Sequence, residues 1–171
     1  MSKTSGANRT SLATIRFWLI PMANKLTRMD VVHEAREWLG TPFKHQGALK
    51  GVACDCIGLI KAIGMQHGLM EYNPNSPEAL SYANYSMMPD SRRMREALSR
   101  WFVSIPVTEA QMADFYFMAW GREPQHVALI TDHGIIHSYS GVGKVVEHSL
   151  DDRWQQRIAA AYRFPYFVEG A

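Results

Sequence analysis

The hydrophobic pattern of the chain changes its period once. In the first part, apolar residues recur at helical spacing, as in Val31, Ala35, Trp38 and Leu39. These residues predict a helix that begins at Asp30 as its N-cap and ends at Gly40. A second helix is predicted from about Cys56 to about His67, because Asp55 is a good N-cap and apolar residues follow at helical spacing.

After residue 90, a third predicted helix gives way to the period of two that is typical of half-buried strands. The helix is basic, has Ser91 as its predicted cap and turns four apolar residues inward: Met94, Leu98, Trp101 and Phe102. Short β-prone runs follow between turn residues: Phe115 to Trp120, His126 to Thr131, Ile135 to Tyr139, Lys144 to Glu147 and Ala161 to Phe164. Helices first and an antiparallel sheet second predict an α+β fold, with the helix at Cys56 packed on the sheet.

Two stretches fall outside these elements. Residues 1–28 are expected to form an N-terminal extension, either an arm or a targeting segment, ahead of one domain over residues 29–171. The apolar run from Phe17 to Ala23 is far shorter than the roughly 20 residues of a membrane-spanning helix, and Pro21 within it disfavours a cleaved signal peptide. The segment from Glu71 to Pro89 is predicted to be irregular, which is uncommon unless such a segment is functional.

Composition and charge exclude few classes of function. The chain has 171 residues, the length of about one domain. Lys and Arg number 18 against 16 Asp and Glu, so the chain is nearly neutral and shows no sign of nucleic-acid binding.

The two cysteines are separated by one residue, which is too close for a relaxed disulfide between Cys54 and Cys56. A zinc site that combines them with His126 and His137 is a poor fit, since structural zinc prefers cysteines two to four residues apart. We therefore expect no metal and no cofactor. Cys54 is expected to be a buried, inert packing residue, whereas the helix start at Cys56 favours the thiolate that a nucleophile needs.

An ordered set of motifs accompanies Cys56: Trp38-Leu39-Gly40-Thr41-Pro42-Phe43, Gly47, Asp55-Cys56-Ile57-Gly58-Leu59, His126-Val127-Ala128-Leu129 and Ile136-His137. In this order the motifs resemble those of NlpC-type peptidoglycan endopeptidases, which are papain-like bacterial cysteine peptidases. The later residues resemble the branch encoded in phage and prophage tail modules: Val145 to Leu150, Trp154, Arg157 and Tyr162 to Pro165. Together the resemblance spans about residues 31 to 165.

The resemblance implies a catalytic site and a substrate. Cys56 would attack a carbonyl, His126 would hold the thiolate–imidazolium pair and protonate the leaving amine, and His137 would orient His126. The substrate would be the peptide stem of bacterial peptidoglycan, cut at the γ-D-glutamyl to diaminopimelate bond. The protein would act as a phage tail component in the virion tail or the host cell envelope, with other tail proteins as possible partners.

Three residues near Cys56 are candidates for binding the substrate. Many family members have a tyrosine where this chain has Phe43 and a serine where it has Ile57. In those members the serine hydroxyl and the carboxylate at position 55 help to bind the free amine of a stem peptide. Asp55 is present here without the serine, so Asp55 is either a substrate-binding residue or chiefly a helix cap, and recognition of a free amine is less expected than the cleavage chemistry.

The third catalytic residue has a competitor. In a hairpin that turns at His133-Gly134, residue 137 faces residue 130, which leaves His137 about four residues, or roughly 13 Å, along the sheet from His126. A bulge or a strong twist would have to close that gap. His133 is the alternative, and His148 is expected to lie at a strand edge without a role in the site.

Two other classes of function remain open at this point. A structural tail subunit could keep the fold with weak or lost catalysis, and could use the basic N-terminal arm and the aromatic segment from Tyr72 to Tyr85 as docking surfaces. An amidase or acyltransferase with the same Cys-His chemistry could act on lipids or small amides, although no apolar anchoring segment accompanies the site.

Overall fold

The computed structural model of the protein describes residues 25–70, 73 and 90–169. Within these residues the helices are α1 (Arg28–Glu37), α2 (Cys56–Gln66), α3 (Ser91–Trp101), α4 (Asp152–Gln155) and α5 (Tyr166–Glu169). The strands are β1 (Ala48–Leu49), β2 (Ala53–Cys54), β3 (Val103–Ile105), β4 (Phe115–Trp120), β5 (Glu123–Thr131), β6 (Gly134–Tyr139), β7 (Lys144–His148) and β8 (Ile158–Arg163). Most of the predicted extension and nearly all of the predicted irregular segment from Glu71 to Pro89 lie outside the described residues.

One antiparallel sheet organises the described part of the chain. Its six strands run in the order β3-β8-β4-β5-β6-β7, and β1 and β2 form a separate hairpin just ahead of α2. The predicted α+β fold is therefore confirmed, with α2 packed on the sheet as expected. The sequence did not predict β1, β2 or β3. These strands have only two or three residues each, which is too few to show a recognisable alternation of apolar and polar residues.

Two layers of apolar side chains cover the two faces of the sheet. On one face, residues of α1 and α2 pack against alternate strand residues, including Leu59, Ile63, Phe117, Val127 and Leu129. On the other face lie Tyr116, Met118, Ala128, Ile130, Ile135 and Ala161, with Leu150 and Trp154 packed over them. Because each fully buried side chain of this size stabilises the fold by about 1.5–3 kcal/mol, the first of these layers holds α2 firmly against β5 and β6.

The N-terminal caps of two helices differ from their predictions. The N-cap of α1 is Thr27, and Asp30 is the third helical residue, whose carboxylate accepts a hydrogen bond from the Thr27 N–H at 2.8 Å. In return, the Thr27 hydroxyl accepts from the Asp30 N–H, which completes a reciprocal capping box. The N-cap of α3 is Asp90 instead of Ser91, because the Asp90 carboxylate accepts from two N–H groups of the first turn.

Candidate active site

The start of α2 is fixed by the carboxylate of Asp55. One oxygen accepts a hydrogen bond from the Gly58 N–H at 2.8 Å, and the other accepts from the Gln46 N–H at 2.6 Å. Asp55 is buried and is the N-cap of α2, as predicted. Because both oxygens bind backbone donors, the structure favours the helix-cap interpretation of Asp55 over the substrate-binding one.

Gly58 lets the preceding loop lie directly on the first turn of α2. A Cβ built at Gly58 would come within 1.9 Å of the Gly47 carbonyl oxygen, which accepts a hydrogen bond from the Asp55 N–H at 3.0 Å. A side chain at position 58 would therefore push the loop away from the helix. This close approach explains why glycine is needed two residues after Cys56.

The backbone just before Cys56 is held between two other segments. Cys54 donates its N–H to the Pro42 carbonyl at 2.9 Å and accepts from the Lys44 N–H at 3.0 Å. The buried Ser138 hydroxyl of β6 also donates to the Cys54 carbonyl, at 2.7 Å. Phe43 lies in this seam and is half-buried. These bonds join the nucleophile segment to β6, two residues from Cys56.

Cys56 lies at the junction of α2 and β5. The residue is half-buried, and the backbone N–H groups of Val127, Ile57 and Cys56 itself lie close enough to the thiol to favour its charged form. Val127 directly follows His126, so the sulfur is next to the backbone of the predicted base. Ile57 packs against the core beside it, with no polar group to offer a substrate.

Burial changes the expected charge of the thiol. It raises the pKa of Cys56 to about 12, with a further upward contribution from the Asp55 carboxylate, although the three N–H groups act in the opposite direction. Burial also lowers the pKa of His126 to about 4, and the nearby Arg157 acts in the same direction. Both shifts favour a neutral thiol and a neutral imidazole in the resting protein over the preformed thiolate–imidazolium pair that the resemblance implies.

His126 and His137 are in direct contact. His126 Nε2 lies 2.5 Å from His137 Nδ1, and the two ring centroids are 4.8 Å apart. His137 is buried, and burial together with the charges of His126 and His148 lowers its pKa to about 2. His137 is therefore a neutral hydrogen-bonding partner of His126.

The hairpin register explains this contact. The pairs are Thr131 with Gly134 and Leu129 with Ile136, so the turn residues are Asp132 and His133, one position earlier than predicted. Continuing the same register places residue 137 beside residue 128, only two residues from His126, and such diagonal neighbours are within reach of long side chains. The predicted gap of roughly 13 Å was wrong because the turn was placed one residue too late.

His133 lies away from the other histidines. Its side chain is 71% exposed at the turn, and its Nε2 is 3.4 Å from a carboxylate oxygen of Asp132. The structure thus brings His137 to His126 and leaves His133 at the surface.

His148 extends the contact by one more ring. Its Nε2 lies 3.0 Å from His137 Nε2, and its Nδ1 lies 2.8 Å from the Ser149 carbonyl oxygen. Because His137 pairs with Val146 across β6 and β7, His148 follows on the same face of the sheet. His148 was expected to lie at a strand edge without a role in the site, and instead it contacts His137; the alternation of Val146 and His148 along β7 was a signal for its direction.

Aromatic rings enclose the histidines. The Trp154 ring centroid lies 4.6 Å from that of His148 and 5.0 Å from that of His137, and the Trp120 centroid lies 5.7 Å from that of His126. The Arg157 guanidinium lies over the Trp120 ring, 4.6 Å from its centroid. Beyond the family resemblance, nothing in the sequence indicated that Trp154 and Arg157 belong to the site, because their positions depend on the chain folding back over β6 and β7.

Neither a metal cluster nor a membrane helix is found in the described residues. Among residues 25–70, 73 and 90–169, no group of three or more His, Cys, Asp and Glu side chains is arranged to hold a metal ion. Cys54 is buried, its thiol donates to the Asp55 carbonyl at 3.2 Å, and burial raises its pKa to about 12. No helix in the same residues is both long and apolar enough to cross a membrane.

Solved structures share this architecture. The NlpC/p60 domain of the peptidoglycan hydrolase SagA superposes with a TM-score of 0.52 at 20% identity, over 80% of this chain and 98% of that one. The chain has the NlpC/P60 fold. An NlpC/P60 family protein from Bacillus cereus superposes with a TM-score of 0.58 at 23% identity, over 81% of this chain but only 40% of the longer Bacillus chain. No protein-family model and no curated protein matches the sequence.

Proposed function

We propose that the protein is a cysteine peptidase that hydrolyses the peptide stem of bacterial peptidoglycan. The observation that carries the proposal is the position of Cys56, at the start of α2 and beside the β5 backbone, where His126 is hydrogen-bonded to His137. The NlpC/P60 fold, shared with a domain of a peptidoglycan hydrolase, supports the choice of substrate. The cleaved bond, γ-D-glutamyl to diaminopimelate, and a place in a phage tail are proposed from the motif resemblance.

The neutral resting pair determines how the chemistry would begin. His126 takes the thiol proton as Cys56 attacks the substrate carbonyl, so that ionisation accompanies attack. The Cys56 N–H at the start of α2 can donate to the developing oxyanion, and one such donor contributes about 3–4 kcal/mol to the barrier reduction. His126 then protonates the leaving amine, and water hydrolyses the thioester to restore the thiol.

The substrate-side residues refine the expected specificity. Phe43 has no hydroxyl group, Ile57 packs against the core, and both carboxylate oxygens of Asp55 bind backbone N–H groups. We therefore propose cleavage within a stem that need not present a free L-Ala amine.

Digestion of purified sacculi tests the proposal. Wild-type protein should release stem-peptide fragments whose masses locate the cut, and fragments with new diaminopimelate amino termini would identify the proposed bond. Cys56→Ala should release none, whereas Cys54→Ala should retain most of the activity because the Cys54 thiol faces the core. Intact sacculi after wild-type treatment, or equal loss in both variants, would contradict the proposal.

A structural tail subunit with lost catalysis is the second candidate. It is favoured by one observation, the raised pKa of Cys56, since a thiol that stays protonated is a poor nucleophile. The rate of Cys56 alkylation by iodoacetamide, measured against pH in a Cys54→Ala background, separates the candidates when substrate fragments are added. Alkylation of Cys56 that is faster than that of an ordinary free thiol, or that slows when the fragments are added, supports the peptidase. Slow alkylation that the fragments do not change supports the subunit.

A further inference from the structure

Three histidines form a continuous hydrogen-bonded chain across β5, β6 and β7. His126 Nε2 meets His137 Nδ1, and His137 Nε2 meets His148 Nε2 at 3.0 Å. The chain ends where His148 Nδ1 lies 2.8 Å from the Ser149 carbonyl oxygen. Each inner contact joins two ring nitrogens, and one nitrogen of each pair must donate while the other accepts.

The last contact of this hydrogen-bonded series, between His148 and the Ser149 carbonyl oxygen, determines the tautomer of each histidine ring. A carbonyl oxygen only accepts, so His148 Nδ1 carries a hydrogen, and in the neutral ring Nε2 is left as an acceptor. His137 must then donate from Nε2, which leaves its Nδ1 as an acceptor for His126 Nε2–H. His126 consequently has its hydrogen on Nε2 and a free electron pair on Nδ1, the only ring nitrogen left for the thiol of Cys56.

We propose that His148 is a positioning residue that, through His137, fixes His126 in the tautomer whose Nδ1 can accept the Cys56 proton. The proposal rests on the proposed function for its chemical meaning, because that tautomer matters only if His126 acts as a base. His148 itself contacts His137 and the Ser149 carbonyl oxygen through its two ring nitrogens. It acts by giving the His137 Nε2–H an acceptor.

Packing and charge support this role. The Trp154 ring holds the rings of both His148 and His137, so the chain has little freedom to swing apart. Burial lowers the pKa of His126 and of His137, which keeps the two rings neutral and able to take the complementary tautomers. Glu147, the neighbour of His148 in β7, is bound by Arg36 at 2.8 Å and so has another partner.

Ring-nitrogen NMR tests the tautomer directly and needs no activity. In full-length protein labelled with 15N at histidine, His126 should show a protonated Nε2 and an unprotonated Nδ1. His148→Phe keeps a ring beside Trp154 but removes the acceptor, so His126 should shift to a mixture of tautomers. His148→Gln restores an acceptor for His137 and a donor for the Ser149 carbonyl, and it should restore the wild-type pattern. His133→Phe, the matched change at the exposed turn, should leave the pattern unaltered.

Kinetics on stem-peptide fragments provide the second readout. His148→Phe should lower kcat about tenfold with little change in KM, which is less than the loss seen when the direct partner of a catalytic histidine is changed. His148→Gln should recover most of kcat. A wild-type His126 with its hydrogen on Nδ1, an unchanged tautomer in His148→Phe, or equal kcat losses in the two variants would overturn the proposal. If the wild type does not hydrolyse peptidoglycan, the function fails, while the wild-type NMR pattern still decides the tautomer.

Discussion

The two halves of the candidate site are held in different ways. The start of α2 is fixed by backbone contacts over a short stretch, since Asp55 binds the N–H groups of Gly58 and Gln46 and Gly58 lies on Gly47. The histidine chain is assembled from three strands and depends on the register of each hairpin. The first half can be recognised from a short motif, whereas the second exists only when the sheet is correctly paired.

Of all the changes to the two halves of the site, removal of the base His126 should cause the largest loss of activity. His126→Ala should abolish hydrolysis as completely as loss of Cys56, because the two residues act as one unit and the resting thiol has no other base. His137→Ala should cost less, about 10²- to 10³-fold in kcat, since it orients the base without touching the thiol. The measurement is kcat on purified muropeptides, with His133→Ala as the matched control.

The outcome would choose between the two histidines. Full activity in His137→Ala together with a strong defect in His133→Ala would show that the contact between His126 and His137 has no catalytic meaning.

Disrupting the backbone contacts at the start of α2 should lower the stability of the fold. Gly58→Ala places a methyl group against the backbone of Gly47 and should lower the free energy of unfolding by about 3 kcal/mol, because a backbone carbonyl cannot rotate away. Gly64→Ala in the same helix is the matched control, since its Cβ would meet the flexible Met70 and the edge of the Phe164 ring. Urea unfolding of both variants measures the difference, and equal losses would show that the Gly47 loop yields easily.

The buried histidines should make the fold sensitive to acid. Their pKa values are about 4 for His126 and about 2 for His137 in the folded protein, against 6.5 in the unfolded chain. Because the unfolded state binds more protons, the unfolding free energy should be largest above about pH 6.5 and fall steadily as the pH is lowered towards 4 and below. Urea titrations between pH 7 and pH 4 measure this slope.

A double variant shows whether the two histidines cause the slope. His126→Phe with His137→Phe should flatten it in this range, and an unchanged slope would assign the acid sensitivity to other groups.

The smallest expected effect concerns a helix away from the site. Thr27→Ala removes one side of the α1 capping box and should lower the unfolding free energy by about 1 kcal/mol without changing kcat. Thermal unfolding and muropeptide hydrolysis measure the two quantities. A decrease in the kcat of the folded variant would mean that α1 positions the site.

The sequence determined most of the regular structure, because its signals are local. Asp55 as a cap and the apolar spacing after Cys56 were enough to place α2, and period-two runs placed β4 to β7 to within a few residues. The predicted caps of α1 and α3 were wrong, since Thr27 and Asp90 lie just outside the apolar pattern that was used to find each helix start. Cap choice depends on which side chain reaches an N–H group, which neighbouring polar residues make ambiguous.

Only the tertiary structure decided how the site is assembled and charged. A turn one residue earlier than predicted brought His137 to His126, and the pairing of β6 with β7 added His148, which no local pattern connects to Cys56. Burial then raised the pKa of Cys56, where the helix start alone predicted a lowered value. Strand register and desolvation are set by residues far apart in the chain, so the sequence could supply the reactive groups while the fold alone fixed their contacts and their protonation.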